Sequence, residues 1–177
     1  IKGSAQDNLG KSKDAVKTFQ KAIKQFPEDY LLFYNLALTQ YRKGDSDQAE
    51  KNLIEAILLN PSHNTSNYLL GVIKAEQNRR VESLLAFYFF LLIEPDSERS
   101  VEVNNTIRSL LYKGVKQKED NSIEVSLNLL GENDEFSAAN LMISLMGASN
   151  TIDENKDKSK EQLFYENTKS LLGVLDE

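Results

Sequence analysis

His63 is the only histidine in the chain and there is no cysteine, so nothing is present to complete a catalytic set around it or a zinc site of nitrogen and sulfur ligands. It stands two residues after Pro61 and reads as a surface turn residue. The 27 acidic residues include no pair set in an apolar stretch that would raise one carboxyl's pKa for acid–base work. Asp153, Asn155, Asp157 and Ser159 alternate like the opening of a calcium loop. Lys158 stands where that loop needs glycine and Phe164 where it needs a bidentate glutamate, which leaves a polar, acidic loop. Asn64-Thr65-Ser66 and Asn104-Asn105-Thr106 match the glycosylation triplet, a chance match in an asparagine-rich chain. No phosphate-cradling glycine loop occurs. These residue types predict no enzyme, no cofactor and no metal, and they direct attention to binding.

Charge narrows the class of partner. Residues 1–97 hold 12 basic and 12 acidic side chains, whereas residues 98–177 hold 9 and 15, so the net charge of −6 belongs to the second half. Neither half is basic, and nucleic acid is not an expected partner. Lys13, Lys17, Lys21 and Lys24 fall three or four apart, as on the solvated face of a helix. The longest apolar run, Leu84–Ile93, is too short to span a membrane and reads as a buried helix, so no membrane insertion is expected.

The elements that would position any site follow from a period. The three prolines, Pro27, Pro61 and Pro95, are 34 residues apart. Five residues before each stand Ala22, Ala56 and Phe90; eight before, Phe19, Leu53 and Phe87; twelve before, Ala15, Ala49 and Ser83. Seventeen before are Gly10, Gly44 and Asn78, residue types suited to the left-handed turn that ends a helix. Twenty-four before are Gly3, Ala37 and Gly71, small enough to let two helices cross closely.

With Phe33, Leu36, Ala37, Gly44, Ala49, Leu53, Ala56 and Pro61 in the central copy, and Leu70, Gly71, Ser83, Phe87 and Pro95 in the next, residues 1–97 resemble the tetratricopeptide-repeat family. The resemblance implies an all-α, right-handed α-solenoid of about three helix-turn-helix repeats: a partial one at 1–29, then 30–63 and 64–97. The third copy departs at Asn67, where the family favours an aromatic, and at Phe90, where it favours alanine. Altered packing is expected there. The period puts Ile1 inside a first helix, so residues upstream are expected, and the compartment stays open: cytoplasmic, or extracytoplasmic after loss of a signal peptide.

The resemblance also implies a concave groove, lined by the first helix of each pair, that holds a partner protein's peptide or helix. On the central copy Phe33, Leu36, Ala37 and Gln40 take the packing face, leaving Leu31, Tyr34, Leu38, Tyr41 and Arg42 to the groove. Tyr68, Val72 and Glu76 continue it on the next copy. Tyrosines, aliphatics and an arginine make a composition suited to a binding hot spot. The alternative is that neighbouring helices, or the acidic C-terminal segment, bury the tyrosines. The family's clamp for a C-terminal carboxylate is not expected, because Ser4, Thr65 and Leu69 occupy positions where it needs asparagine and basic residues.

Beyond residue 97 the register ends. Ser100–Val115, with Val103, Ile107, Leu110, Leu111 and Val115 on one stripe, predicts a capping helix over 98–115. Lys116–Ser122 reads as a loop. Ile123, Val125, Leu127 and Leu129 alternate as in a strand with no visible partner, while Ile123, Leu127 and Leu130 fit a helix. Asp134–Met146 is apolar nearly all round and predicts a buried helix closed by Gly147; Lys158–Leu175 predicts another, with no stop signal near Glu177. The second reading of function is therefore structural: self-association through residues 123–177 as a homo-oligomer, or docking onto the rest of a longer polypeptide.

Overall fold

Gly10, Gly44 and Asn78, spaced by 34, turn the chain with φ of 73°, 84° and 60°, and each joins two helices. The computed structural model describes residues 1–117, 122–126, 136–150 and 158–175. Helices α1 (Lys2–Asn8) and α2 (Ser12–Gln25), α3 (Tyr30–Arg42) and α4 (Ser46–Leu59), and α5 (Asn64–Glu76) and α6 (Arg80–Ile93) form three successive pairs. They make up the first of two compact units, Ile1–Ser97 and Glu98–Glu177. The first unit is the expected all-α repeat solenoid.

What holds each pair together is the size of two side chains. A Cβ placed on Gly3 would lie 2.7–2.9 Å from ring carbons of Phe19, and one on Gly71 2.7–3.0 Å from Phe87. In the central pair the same two positions carry Ala37 and Leu53, both fully buried. A phenyl ring is thus paired with glycine, and the smaller leucine with alanine, as close packing of one crossing demands. A polar pair recurs beside it: Thr18 Oγ1 donates to Gln6 Oε1 at 2.7 Å, and Asn52 Nδ2 to Gln40 Oε1 at 2.8 Å, each 12 residues apart. In the third pair Ser83 Oγ donates to Gly71 O at 2.8 Å, which satisfies a buried hydroxyl.

The departures in the third copy do alter its packing. Phe90 is fully buried, with Tyr68 at 5.6 Å between ring centroids. Asn67 is buried as well, and its amide donates to Pro61 O at 3.2 Å, tying down the preceding turn.

Asp45, followed by Gln48, resembles a capping box, yet its side chain makes no cap hydrogen bond; Asp29 instead caps α3 by accepting from Leu31 N at 3.0 Å.

In the second unit α7 (Glu98–Leu111) buries Val103, Ile107, Leu110 and Leu111, but the helix stops there. Gly114, at φ 85°, turns the chain into β1 (Val115–Gln117), which pairs antiparallel with β2 (Ile123–Val125) in the register Val115↔Val125. The strand's partner is therefore the stretch read as the end of the helix and a loop. Helices α8 (Ser137–Ser149) and α9 (Lys160–Leu175) complete the unit, and the hairpin packs on α8. Gly147 does not end α8. It lies within the helix, where a Cβ would meet Leu111 O and Val115 Cγ2 at 3.0 Å. Nor is α8 buried all round: Ala139 and Ile143 are buried, but Leu141, Met142 and Leu145 are exposed. Leu127–Leu130 and the calcium-like Asp153, Asn155 and Asp157 lie outside the described residues. Among the described residues no helix is long and apolar enough to cross a membrane, and no cluster of three or more His, Cys, Asp or Glu could hold a metal ion.

Adding a methyl at the tightest crossing tests this packing. Gly71→Ala should destabilise the chain by about 1–3 kcal/mol in chemical denaturation, and a second change, Phe87→Leu, should recover most of that loss by recreating the Ala37–Leu53 pair. An unchanged midpoint for the single variant would contradict the crossing.

Candidate functional site

On α3 the helical spacing places Leu36, Ala37 and Gln40 in the core, together with Thr39, whose hydroxyl donates to Asn35 O at 2.9 Å. Phe33, expected on the same face, is half-buried. The opposite face carries the predicted groove residues. Leu31 is exposed and Arg42 is exposed. Tyr34, Leu38 and Tyr41 are half-buried against the cluster formed by Ala37, Ala49, Leu53, Leu69 and Ile73. On α5, Val72 is half-buried and Glu76 exposed. Tyr68 turns the edge of its ring to Phe87, 6.2 Å between centroids. The tyrosines thus share their surface between packing and solvent.

Two bridges tie this face together, and both repeat the same register. Arg42 Nη1 donates to Asp7 Oδ2 at 3.0 Å, and Tyr41 Oη donates to Glu76 Oε1 at 2.7 Å. Each spans 35 residues, because Tyr41 stands one period after Asp7 and Glu76 one period after Arg42. Tyr41, Arg42 and Glu76 therefore join neighbouring helical pairs. The Tyr41 hydroxyl is pushed up to about 12, first by its hydrogen bond to Glu76 and then by burial and the Glu76 charge, so the bridge holds across the neutral range.

His63 is more than a turn residue. Its ring lies 5.0 Å from Tyr30 and 4.8 Å from Tyr34, edge-on to the latter, and Nδ1 shares a hydrogen bond of 2.7 Å with Ser66 Oγ. Ser66 is fully buried, so the bond ties the half-buried His63 ring to the inner side of the first turn of α5. The sequence clue was the helical spacing of Tyr30 and Tyr34, one turn apart, with a histidine one period beyond the turn that precedes them. Asn35, between the two faces of α3, donates its amide to Leu31 O.

Lys74 carries no signal in the sequence that marks its role. It stands one period after Gln40, at a packing position, and is only 5% exposed. Its Nζ lies 2.6 Å from Glu50 Oε1 and 3.9 Å from Glu82, while Arg79 reaches both carboxylates at 3.2 and 2.5 Å. Burial would raise the Glu50 carboxyl, but the hydrogen bond and charge of Lys74, with Arg79, hold it below its ordinary value. The cluster binds α4 to α5 and α6.

Comparison with known proteins supplies the name for this arrangement. Two family profiles, each described as tetratricopeptide repeat, match residues 1–29 and 18–51. The matched stretch, residues 1–51, is a tetratricopeptide-repeat segment. Solved repeat domains share the fold. The first such domain of Spaghetti (RPAP3), bound to an HSP90 peptide, aligns with a TM-score of 0.57 and 23% identity over 62% of this chain and 84% of that one. The second domain of human RPAP3, in complex with an HSP70 peptide, gives 0.57 and 24% over 60% and 89%. The Yersinia enterocolitica type III secretion translocator chaperone SycD gives 0.57 and 16% over 61% and 77%. No curated protein matches significantly.

Two measurements check the repeat face. Burial holds the His63 imidazole below its ordinary 6.5, so the stability it contributes is present above that value and lost as pH falls below it. The unfolding midpoint should drop as pH falls through the ordinary histidine value of 6.5, before the more acidic window in which Glu50 protonates, and His63→Gln should flatten that interval. Independently, Tyr41→Phe should cost about 0.5–1.5 kcal/mol in denaturation, the net worth of one hydrogen bond; no loss would show that the Glu76 bridge is idle.

Proposed function

We propose that residues 1–97 form a protein-interaction scaffold whose first helices present Leu31, Tyr34, Leu38, Tyr41, Arg42, Tyr68, Val72 and Glu76 to a peptide or helix of a partner protein. The observation that carries this reading is the half-buried aromatic and aliphatic row on α3 and α5, clamped by the Asp7–Arg42 and Tyr41–Glu76 bridges. Side chains already ordered by packing lose little freedom when a ligand covers them, which is how rigid aromatic anchors gain affinity. The peptide-bound RPAP3 domains and PcrH, solved with the chaperone-binding region of PopD, support it by analogy of fold. Ser4, Thr65 and Leu69 argue for a ligand other than a clamped C-terminal carboxylate. Nothing in the face calls for catalysis.

A second reading rests on α8. Leu141, Met142 and Leu145 are exposed along one side of that helix, a face suited to self-association of the C-terminal segment.

Selection of a displayed random-peptide library against the chain tests the first reading. Enriched peptides should lose at least about tenfold in affinity to Leu31→Glu and to Tyr34→Ala while helical content is kept. Peptides indifferent to both changes would overturn it. For the second reading, Met142→Glu with Leu145→Glu should convert a dimer to a monomer by light scattering, and a monomeric parent chain would exclude it.

A further inference from the structure

We infer that the second unit holds a separate binding site, in the cleft between α7 and α9, for a carboxylate borne on an apolar chain. The cleft measures about 700 Å³, within the range of pockets that enclose a small organic ligand or a few residues of peptide. Spacing on two helices builds its walls. Val101, Asn104, Asn105 and Arg108 fall on one face of α7, and Leu163, Phe164 and Asn167 on one face of α9.

Arg108 supplies the charge. Its guanidinium carbon sits 5.4 Å from the centroid of the Phe164 ring, which fixes the long side chain over a flat apolar surface. Among the described residues it makes no ion pair, although this unit carries an excess of acids. A planar guanidinium held in this way offers two parallel N–H groups to a carboxylate. Among the described residues Arg108 is the one cation that lines the cleft, which matches a single negative charge.

Asn167 supplies an oriented amide. It is 4% exposed, and its Oδ1 accepts from Asn150 Nδ2 at 3.0 Å, which in turn donates to Tyr112 Oη at 3.3 Å. With the carbonyl end taken, the NH₂ end is the group left for a ligand oxygen. Asn104 is set the other way, since its Nδ2 donates to Ser100 O at 2.9 Å and leaves its carbonyl as an acceptor. Donors and an acceptor thus flank the arginine, and Val101, Leu163 and Phe164 provide the apolar surface. A free organic acid and the C-terminal carboxylate of a peptide share this chemistry. The site lies outside the repeats and does not depend on the groove.

Titration calorimetry with the full chain tests it using three probes: sodium octanoate, a leucine-ended hexapeptide with a free C-terminal carboxylate, and the same hexapeptide as its C-terminal amide. Octanoate, the acid peptide or both should bind, whichever does so naming the source, and the amide should bind at least about tenfold more weakly. Arg108→Gln should abolish that binding while Tyr34→Ala leaves it intact. Val101 is 64% exposed, so Val101→Glu keeps the fold and should also weaken binding by repelling the carboxylate. Absence of binding by either acid, equal binding of acid and amide, or acid binding indifferent to both Arg108→Gln and Val101→Glu would overturn the assignment.

Discussion

Two helices of a repeat can approach only as closely as the side chains at their crossing allow, and the rest of the first unit depends on that limit. Where Phe19 and Phe87 fill the crossing, the facing position is Gly3 or Gly71; where Leu53 fills it, the position is Ala37. A large side chain thus faces a small one at each crossing, which lets the three pairs close to a similar spacing. A similar spacing is what lets one pair stack on the next, and a thin two-helix unit buries its apolar face only by stacking. Bridges such as Asp7–Arg42 and Tyr41–Glu76 can then recur at one register because the spacing between pairs recurs.

The polar residues of the core obey the same geometry under a stricter condition. Gln6 and Gln40 each find a hydrogen-bond partner 12 residues on. At the third equivalent position stands Lys74, and a buried ammonium is tolerated only with compensating charge. Glu50 and Glu82 provide it, with Arg79 balancing the two carboxylates. One substitution in a neutral row thereby gathers three further charged side chains around it and fastens the second repeat to the third.

The two candidate sites differ in how they are held. The proposed groove on α3 and α5 is made of side chains that also cement the repeats, so its shape follows from the stacking itself. In the second unit, Arg108 over Phe164 and the Asn150–Asn167 pair are set by helices of unequal length and no common period. A repeat gives shape by iteration, whereas a pocket without symmetry needs each side chain fixed by its own neighbour.

Legibility divides along the same line. By itself, the 34-residue period carried the three helix pairs, the left-handed turns at Gly10, Gly44 and Asn78, and the small residues at each crossing, because positions repeated three times betray a shared environment. The faces of α3 were also readable, since a helix's period separates core from surface. Without repetition, inference failed where a residue's role depends on a contact distant in sequence. Gly147 looked like a helix stop because glycine often is one; only the nearness of Leu111 and Val115 shows that it makes room. The partner of β2 was hidden because Val115–Gln117 is too short to show an alternation. Lys74 beside Glu50 and Arg108 over Phe164 were decided by tertiary structure, because side chains that meet through folding carry no local pattern that marks the meeting.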